Sequence, residues 1–106
     1  MKDDLYTLTK YAEDSIRQTV HRLHLNFDSN SLNVEMKNGE ALVTAESYGS
    51  TVQEADVQRE VAAVLAEVNR DLPDDSYLTL FGSNISNFYS SSVCECAVAI
   101  TIACYL

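Results

Sequence analysis

Glycine is too scarce in this chain to cradle a phosphate. Gly39, Gly49 and Gly82 stand far apart, so neither a P-loop nor a dinucleotide-binding turn is present. Tryptophan is absent and Pro73 is the single proline, which leaves long stretches uninterrupted by a helix breaker. The longest apolar run is far short of the roughly 20 residues a membrane span needs. The first thirty residues lack a basic segment, an apolar segment and a small-residue cleavage site, so no signal peptide is expected. Three cysteines form no disulfide framework, and reduced thiols in a cytoplasmic setting are the simpler reading. Basic residues are also few, 7 Lys and Arg against 16 Asp and Glu for a net charge of -9. The deficit is uneven: residues 71–106 contain no Lys or Arg. Such a field repels phosphate backbones and anionic lipid and favours basic partners, which argues against direct nucleic-acid or membrane binding.

A chain of 106 residues with 46% hydrophobic content is expected to form one domain, residues 1–106, with a core that needs no staple. Its final stretch, residues 93–106, runs without Gly, Pro, Asn or Asp. As a β-strand it places Cys94, Cys96, Val98, Ile100, Ile102, Cys104 and Leu106 on one apolar face. The opposite face carries Val93, Glu95, Ala97, Ala99, Thr101, Ala103 and Tyr105, mostly small and only half polar.

Earlier in the chain, Leu5, Leu8, Ala12, Ile16, Val20 and Leu23 recur at helical spacing and predict a helix over 4–24, with Asp3 or Asp4 as cap and residues 26–30 ending it. Asn38-Gly39 between two β-prone runs predicts a two-residue hairpin turn. The register that follows pairs Lys37 with Glu40, Met36 with Ala41, Glu35 with Leu42, Val34 with Val43, Asn33 with Thr44 and Leu32 with Ala45. Thr51-Val52-Gln53-Glu54 has the form of a capping box, and Val57, Val61, Val64, Leu65, Val68 and Leu72 mark a second helix. Ala62, Ala63 and Ala66 are expected to let it sit close to a sheet. Residues 76–81 predict a short strand closed by Gly82, and residues 83–92 a long hairpin loop.

The element order is αββαββ. Its economical packing is an α+β fold, a four-stranded antiparallel sheet with two helices on one face. Strand order 1-2-4-3, a permuted ferredoxin-like arrangement, shields the long apolar terminal strand at the centre; a 1-2-3-4 meander is the alternative. Either way the reverse face shows Leu42, Thr44, Tyr77, Thr79, Phe81, Ala97, Ala99, Thr101, Ala103 and Tyr105. A semi-apolar surface of that extent calls for a cover.

Chemistry-bearing constellations are weak. Cys94 and Cys96 with His21 and His24 make a conceivable zinc set, but the thiols continue an apolar stripe where Cys packs as a small hydrophobe. Ser90-Ser91-Ser92 has no accompanying nucleophile elbow. Aromatics on an open sheet suggest a base-stacking platform, which the missing basic surround contradicts. No cofactor or metal is expected. The chain therefore reads as a small acidic interaction protein without enzymatic activity, expected to be a homo-oligomer, most simply a dimer. Self-association falls to Tyr77, Phe81, Ala97, Ala99, Thr101 and Tyr105. A basic protein partner is expected at Glu60, Glu67, Asp71, Asp74, Asp75, Phe88 and Tyr89. One variant of this reading is an inhibitor that mimics nucleic acid, as phage anti-defence proteins do. The alternatives are a structural assembly subunit, for instance of a phage particle, and a small enzyme without a recognisable motif.

Overall fold

In the computed structural model, residues 3–37, 39–90 and 93–106 are described, with side chains for residues 5–37, 39–87 and 95–106. The elements are α1 (Asp3–Arg22), β1 (Asn26–Lys37), β2 (Glu40–Ser50), α2 (Glu54–Asp71), β3 (Tyr77–Ser90) and β4 (Val93–Tyr105). The strands form one antiparallel sheet in the order β1-β2-β4-β3. Both helices lie on one face, α1 over β4, β2 and β1 and α2 over β3. This is the ferredoxin-like α+β fold that the pattern predicts, with β4 at its centre.

The α1 stripe of Leu8, Ala12, Ile16 and Val20 is buried, each large member contributing roughly 1.5–3 kcal/mol of burial. The helix ends two residues earlier than expected because His24 adopts the left-handed conformation, at φ 59°. There the Leu25 N–H donates to the Val20 carbonyl at 2.9 Å and the His24 N–H to the His21 carbonyl at 3.1 Å, the paired bonds of a Schellman stop. Leu25 then turns into the core. Gly49 of β2 makes room for it, since a Cβ there would stand 2.8 Å from the Leu25 Cδ2.

In α2 the stripe of Val57, Val61, Val64 and Leu65 is buried. Ala62, Ala63 and Ala66 face solvent instead, because the β-branched residues already fill the side toward the sheet. The expected capping box does not form. The helix starts at Glu54 with Gln53 as an N-cap lacking a side-chain bond, since β2 runs on to Ser50 and leaves Thr51–Gln53 to bridge to the helix while Val52 packs on the core. Asp3 and Asp4, the expected caps of α1, have side chains outside the described set.

The β1–β2 register agrees with the hairpin prediction from Lys37↔Glu40 back to Asn33↔Thr44. Gly39 sits at φ +82°, as such a turn requires; Asn38 lies outside the described residues. The expected Leu32–Ala45 pair is replaced by a bulge between Asp28 and Asn33. Asp28 Oδ1 accepts from the Asn30 N–H at 3.0 Å, and Ser31 Oγ accepts from the Glu46 N–H at 2.7 Å while donating to the Asp28 carbonyl at 2.6 Å. These polar side chains let residues 26–30, expected only to end the helix, open β1 instead. The hairpin also outruns the helices, so Val34 and Met36 stay 43% and 51% exposed although they face the helix side.

Residues 83–90, expected as loop, continue β3. After a bulge between Leu80 and Gly82 the strand stays paired with β4 from Gly82↔Thr101 to Ser90↔Val93. The bulge absorbs the one-residue offset at which the apolar alternation breaks down. The expected loop residues Ser91 and Ser92 lie outside the described residues.

On β3 the Leu78 N–H donates to Asn69 Oδ1 and the Leu78 carbonyl accepts from Asn69 Nδ2, both at 2.8 Å. One amide of α2 thus substitutes for a neighbouring strand. Asn69→Ala is expected to lower stability by about 2 kcal/mol, since two partly buried backbone groups lose their partner. Chemical denaturation measures the loss, and amide exchange at Leu78 should accelerate.

Candidate interaction surface

Side-chain alternation delivers to the helix-free face the ten residues expected there. Across β2 and β4, Thr44 and Thr101 face each other in register and share a hydrogen bond of 2.9 Å between their hydroxyls. Ala97, Ala99 and Thr101 are half-buried and Ala103 is fully buried, although both helices lie on the opposite face. At one end Tyr77 and Tyr105 are paired in register and stacked, with centroids 5.0 Å apart and planes at 28°. The phenol of Tyr105 is pushed above its ordinary pKa by burial, with Glu40 and Tyr77 adding to the rise. Tyr77 is 50% and Phe81 62% exposed. Phe81 belongs to the β3 bulge and, with Gly82, Ser83, Asn84, Ala99 and Thr101, borders a shallow hollow of about 290 Å³. The six residues expected to mediate self-association are therefore contiguous, all on β3 and β4.

Charge on this face is uneven: apart from Glu95 near the start of β4, it lies on β1 and β2. The carboxylates of Asp28, Glu35, Glu40 and Glu46 lie on the β1–β2 side, where Lys37 reaches Glu35 at 3.7 Å. Tyr48 donates to Glu46 at 2.8 Å, and that bond raises its pKa, helped by burial and by the charges of Glu46 and Asp28. The β3 side contains no charged residue from 76 to 92.

The residues expected to meet a basic partner divide into two groups. Glu60 and Glu67 are approached by Arg22 of α1 at 3.8 and 3.9 Å, and Arg59 lies 3.9 Å from Glu60. The acidic side of α2 is thus answered across the helix pair, an arrangement invisible along one helix. Asp71 and Asp75 instead border a cavity of about 230 Å³ between α1 and the α2–β3 connection, with Tyr11 and Pro73 among its other walls. Asp74 is exposed beside them. The side chains of Phe88 and Tyr89 lie outside the described set. Tyr11, which also lines this cavity, shows in sequence only as an aromatic beside the apolar stripe.

Of the candidate zinc set, Cys96, His21 and His24 have described side chains. Cys96 and Cys104 are buried free thiols, directed at backbone carbonyls of Ser50 and Leu8 at 3.4 and 3.7 Å. His21 and His24 are exposed near the end of α1, and Cys94 has its side chain outside the described set. Among the described residues no group of three or more His, Cys, Asp or Glu is placed to hold a metal, and no described helix is long and apolar enough to cross a membrane.

No family model matches the chain, and no curated protein matches it. Among solved structures it is similar to the type 4 fimbrial biogenesis protein PilO from Pseudomonas aeruginosa, with a TM-score of 0.55 and 17% identity, over 89% of this chain and 64% of that one. At this identity the likeness concerns the fold, and the chain spans less than two thirds of the PilO chain it matches.

Burial pushes the Cys104 thiol from its ordinary 9.0 up to about 11. Above pH 9 the unfolded chain releases this proton while the folded chain keeps it, so folding stability should fall between pH 9 and 11. The expected loss is about 2–3 kcal/mol, measured by denaturation across that range, and Cys104→Ala should flatten the slope. Alkylation of native Cys104 at pH 8 should be correspondingly slow.

Proposed function

We propose that the protein is a non-enzymatic interaction module, self-associating through the β3–β4 part of its open sheet face and engaging a basic protein through its acidic end. The observation that carries this reading is the contiguous surface of Tyr77, Phe81, Ala97, Ala99, Thr101 and Tyr105, in which two aromatic rings are half or more exposed. Small side chains let a second surface approach closely, and the aromatics supply anchors at the margin. The acidic end is Asp71, Asp74 and Asp75, whose charges are not answered by Arg22 as those of Glu60 and Glu67 are. This favours insertion of a basic side chain near the cavity beside Tyr11 over imitation of an extended phosphate backbone, which needs a longer run of free carboxylates. A cytoplasmic setting suits the free thiols and belongs to the same proposal. The likeness to a protein named for fimbrial biogenesis adds support for the variant in which the chain is a structural assembly subunit.

Ala99→Glu places a carboxylate in the middle of the proposed self-contact and should weaken sheet-face association at least about tenfold. Sedimentation equilibrium measures it, and a strict monomer in the unsubstituted protein would remove the proposal. Binding of an arginine-rich peptide, followed by fluorescence anisotropy, should weaken steeply with added salt and be lost in Asp74→Lys/Asp75→Lys. A salt-independent affinity would assign the acidic end to solubility alone.

A further inference from the structure

The two edges of the sheet are treated differently. On β1 the free edge is interrupted by the Asp28–Asn33 bulge, whose polar groups are turned to local bonds, and it carries Asp28, Glu35 and Lys37. Charges and bulges of this kind keep an edge from pairing with another chain. On β3 the protection stops early. Asn69 occupies the outward backbone groups of Leu78, and the bulge at Phe81 follows, but from Gly82 to Asn87 the strand is continuously paired with β4 without a further register shift, and free of charge and proline.

Its phase is fixed by the same Asn69 clamp. Leu78 points its N–H and carbonyl away from β4, and in an antiparallel ladder such residues alternate. The β4 partners of Leu78, Ser83, Ile85 and Asn87 are Cys104, Ile100, Val98 and Cys96, all of one parity. Ser83, Ile85 and Asn87 therefore present their backbone groups outward. The segment they belong to, Ser83-Asn84-Ile85-Ser86-Asn87, is chemically its own complement when reversed. Ile85 meets Ile85, Ser83 meets Asn87 and Asn84 meets Ser86.

We propose that β3 pairs antiparallel with β3 of a second copy about a two-fold axis at Ile85, joining two sheets into one continuous eight-stranded sheet. Three facing residue pairs exchange about six backbone hydrogen bonds, and the cross-strand pairs match polar with polar and apolar with apolar. Self-complementarity of Ser83–Asn87 selects a second copy as the occupant, and the absence of charge from residues 76–92 permits it. Another chain of net charge -9 is repelled over most of this surface, and residues 76–92 are the stretch that opposes no like charge to it. The contact is independent of the sheet-face contact proposed above. Either alone gives a dimer, and the two together give a tetramer with two kinds of two-fold axis.

The test is run in the Ala99→Glu protein, in which the proposed sheet-face contact is weakened at least about tenfold. Sedimentation equilibrium at about 100 μM protein should still detect a dimer. Adding Asn87→Pro, which removes an outward donor and no bond to β4, should weaken that dimer at least tenfold while thermal unfolding confirms the fold. A monomeric Ala99→Glu protein, or a dimer indifferent to Asn87→Pro, would overturn edge pairing; loss of sheet-face association in the parent leaves this result unaffected. Should Asn87→Pro fail to fold, charge at the exposed positions tests the register in the Ala99→Glu chain without the proline. Asn84→Lys/Ser86→Lys sets like charges opposite each other and should dissociate the dimer, whereas Asn84→Lys/Ser86→Glu should keep it. Equal behaviour of the two variants would refute the two-fold at Ile85.

Discussion

Everything in this molecule is registered against the buried face of β4. Cys96, Val98, Ile100, Ile102 and Cys104 are fully buried because the strand lies between β2 and β3 and beneath the helices. Its period-two alternation sets which face of the neighbouring strands is covered, since antiparallel partners share a side. The same alternation sends Ala97, Ala99, Thr101, Ala103 and Tyr105 to the uncovered side. The hydrophobic core and the candidate interaction surface are thus two consequences of one strand. A one-residue slip of β4 would exchange them and bury Glu95, so the register is held by the cost of an unpaired charge as well as by apolar area.

That logic made the fold legible from the sequence. Element order, strand order and the open-face residues follow from alternation, helical stripes and the Asn38-Gly39 pair, because each is a local signal that the tertiary structure also rewards. The failures occur where a long-range partner overrides a local pattern. The run from Ser83 to Ser90 has too little alternation to announce a strand, yet β4 supplies a full ladder of backbone bonds for it, and the bulge at Phe81 shifts its phase. The Asp28–Ser31 run has turn chemistry, and its side chains do form local bonds, but inside a bulge of a strand. The apparent capping box at Thr51 fails because β2 claims residues up to Ser50. Arg22 reaching Glu60 and Glu67 joins positions 38 and 45 residues apart, a distance that no scan along a single helix face spans.

Electrostatics divides the candidate surface as sharply as packing does. The net charge of -9 is not spread evenly over the fold. On α2 it is partly neutralised by α1, on the β1–β2 side of the open face it stays dense, and along β3 it vanishes. The proposed basic partner and the proposed second copy therefore fall on different regions, and no single patch has to serve both. Salt acts oppositely on the two: screening weakens attraction between acid and base, and relieves repulsion between two acidic copies. The likeness to PilO carries none of this, because a shared ferredoxin-like frame at 17% identity constrains where strands lie, not which of their surfaces are charged.

The unequal edges bear on how such a frame can join an assembly without aggregating. A sheet with two unprotected edges would propagate pairing without limit. With β1 blocked by its bulge and charges, edge pairing through β3 closes after one step, because a two-fold contact consumes the same edge on both copies and leaves only the β1 edges outside. The bulge at Phe81 and the Asn69 clamp restrict the available segment further, to the residues beyond Leu80. What reads in sequence as a polar loop then suits the proposed contact as an edge: Ser and Asn supply little apolar area, so pairing stays modest, while the absence of charge leaves it allowed.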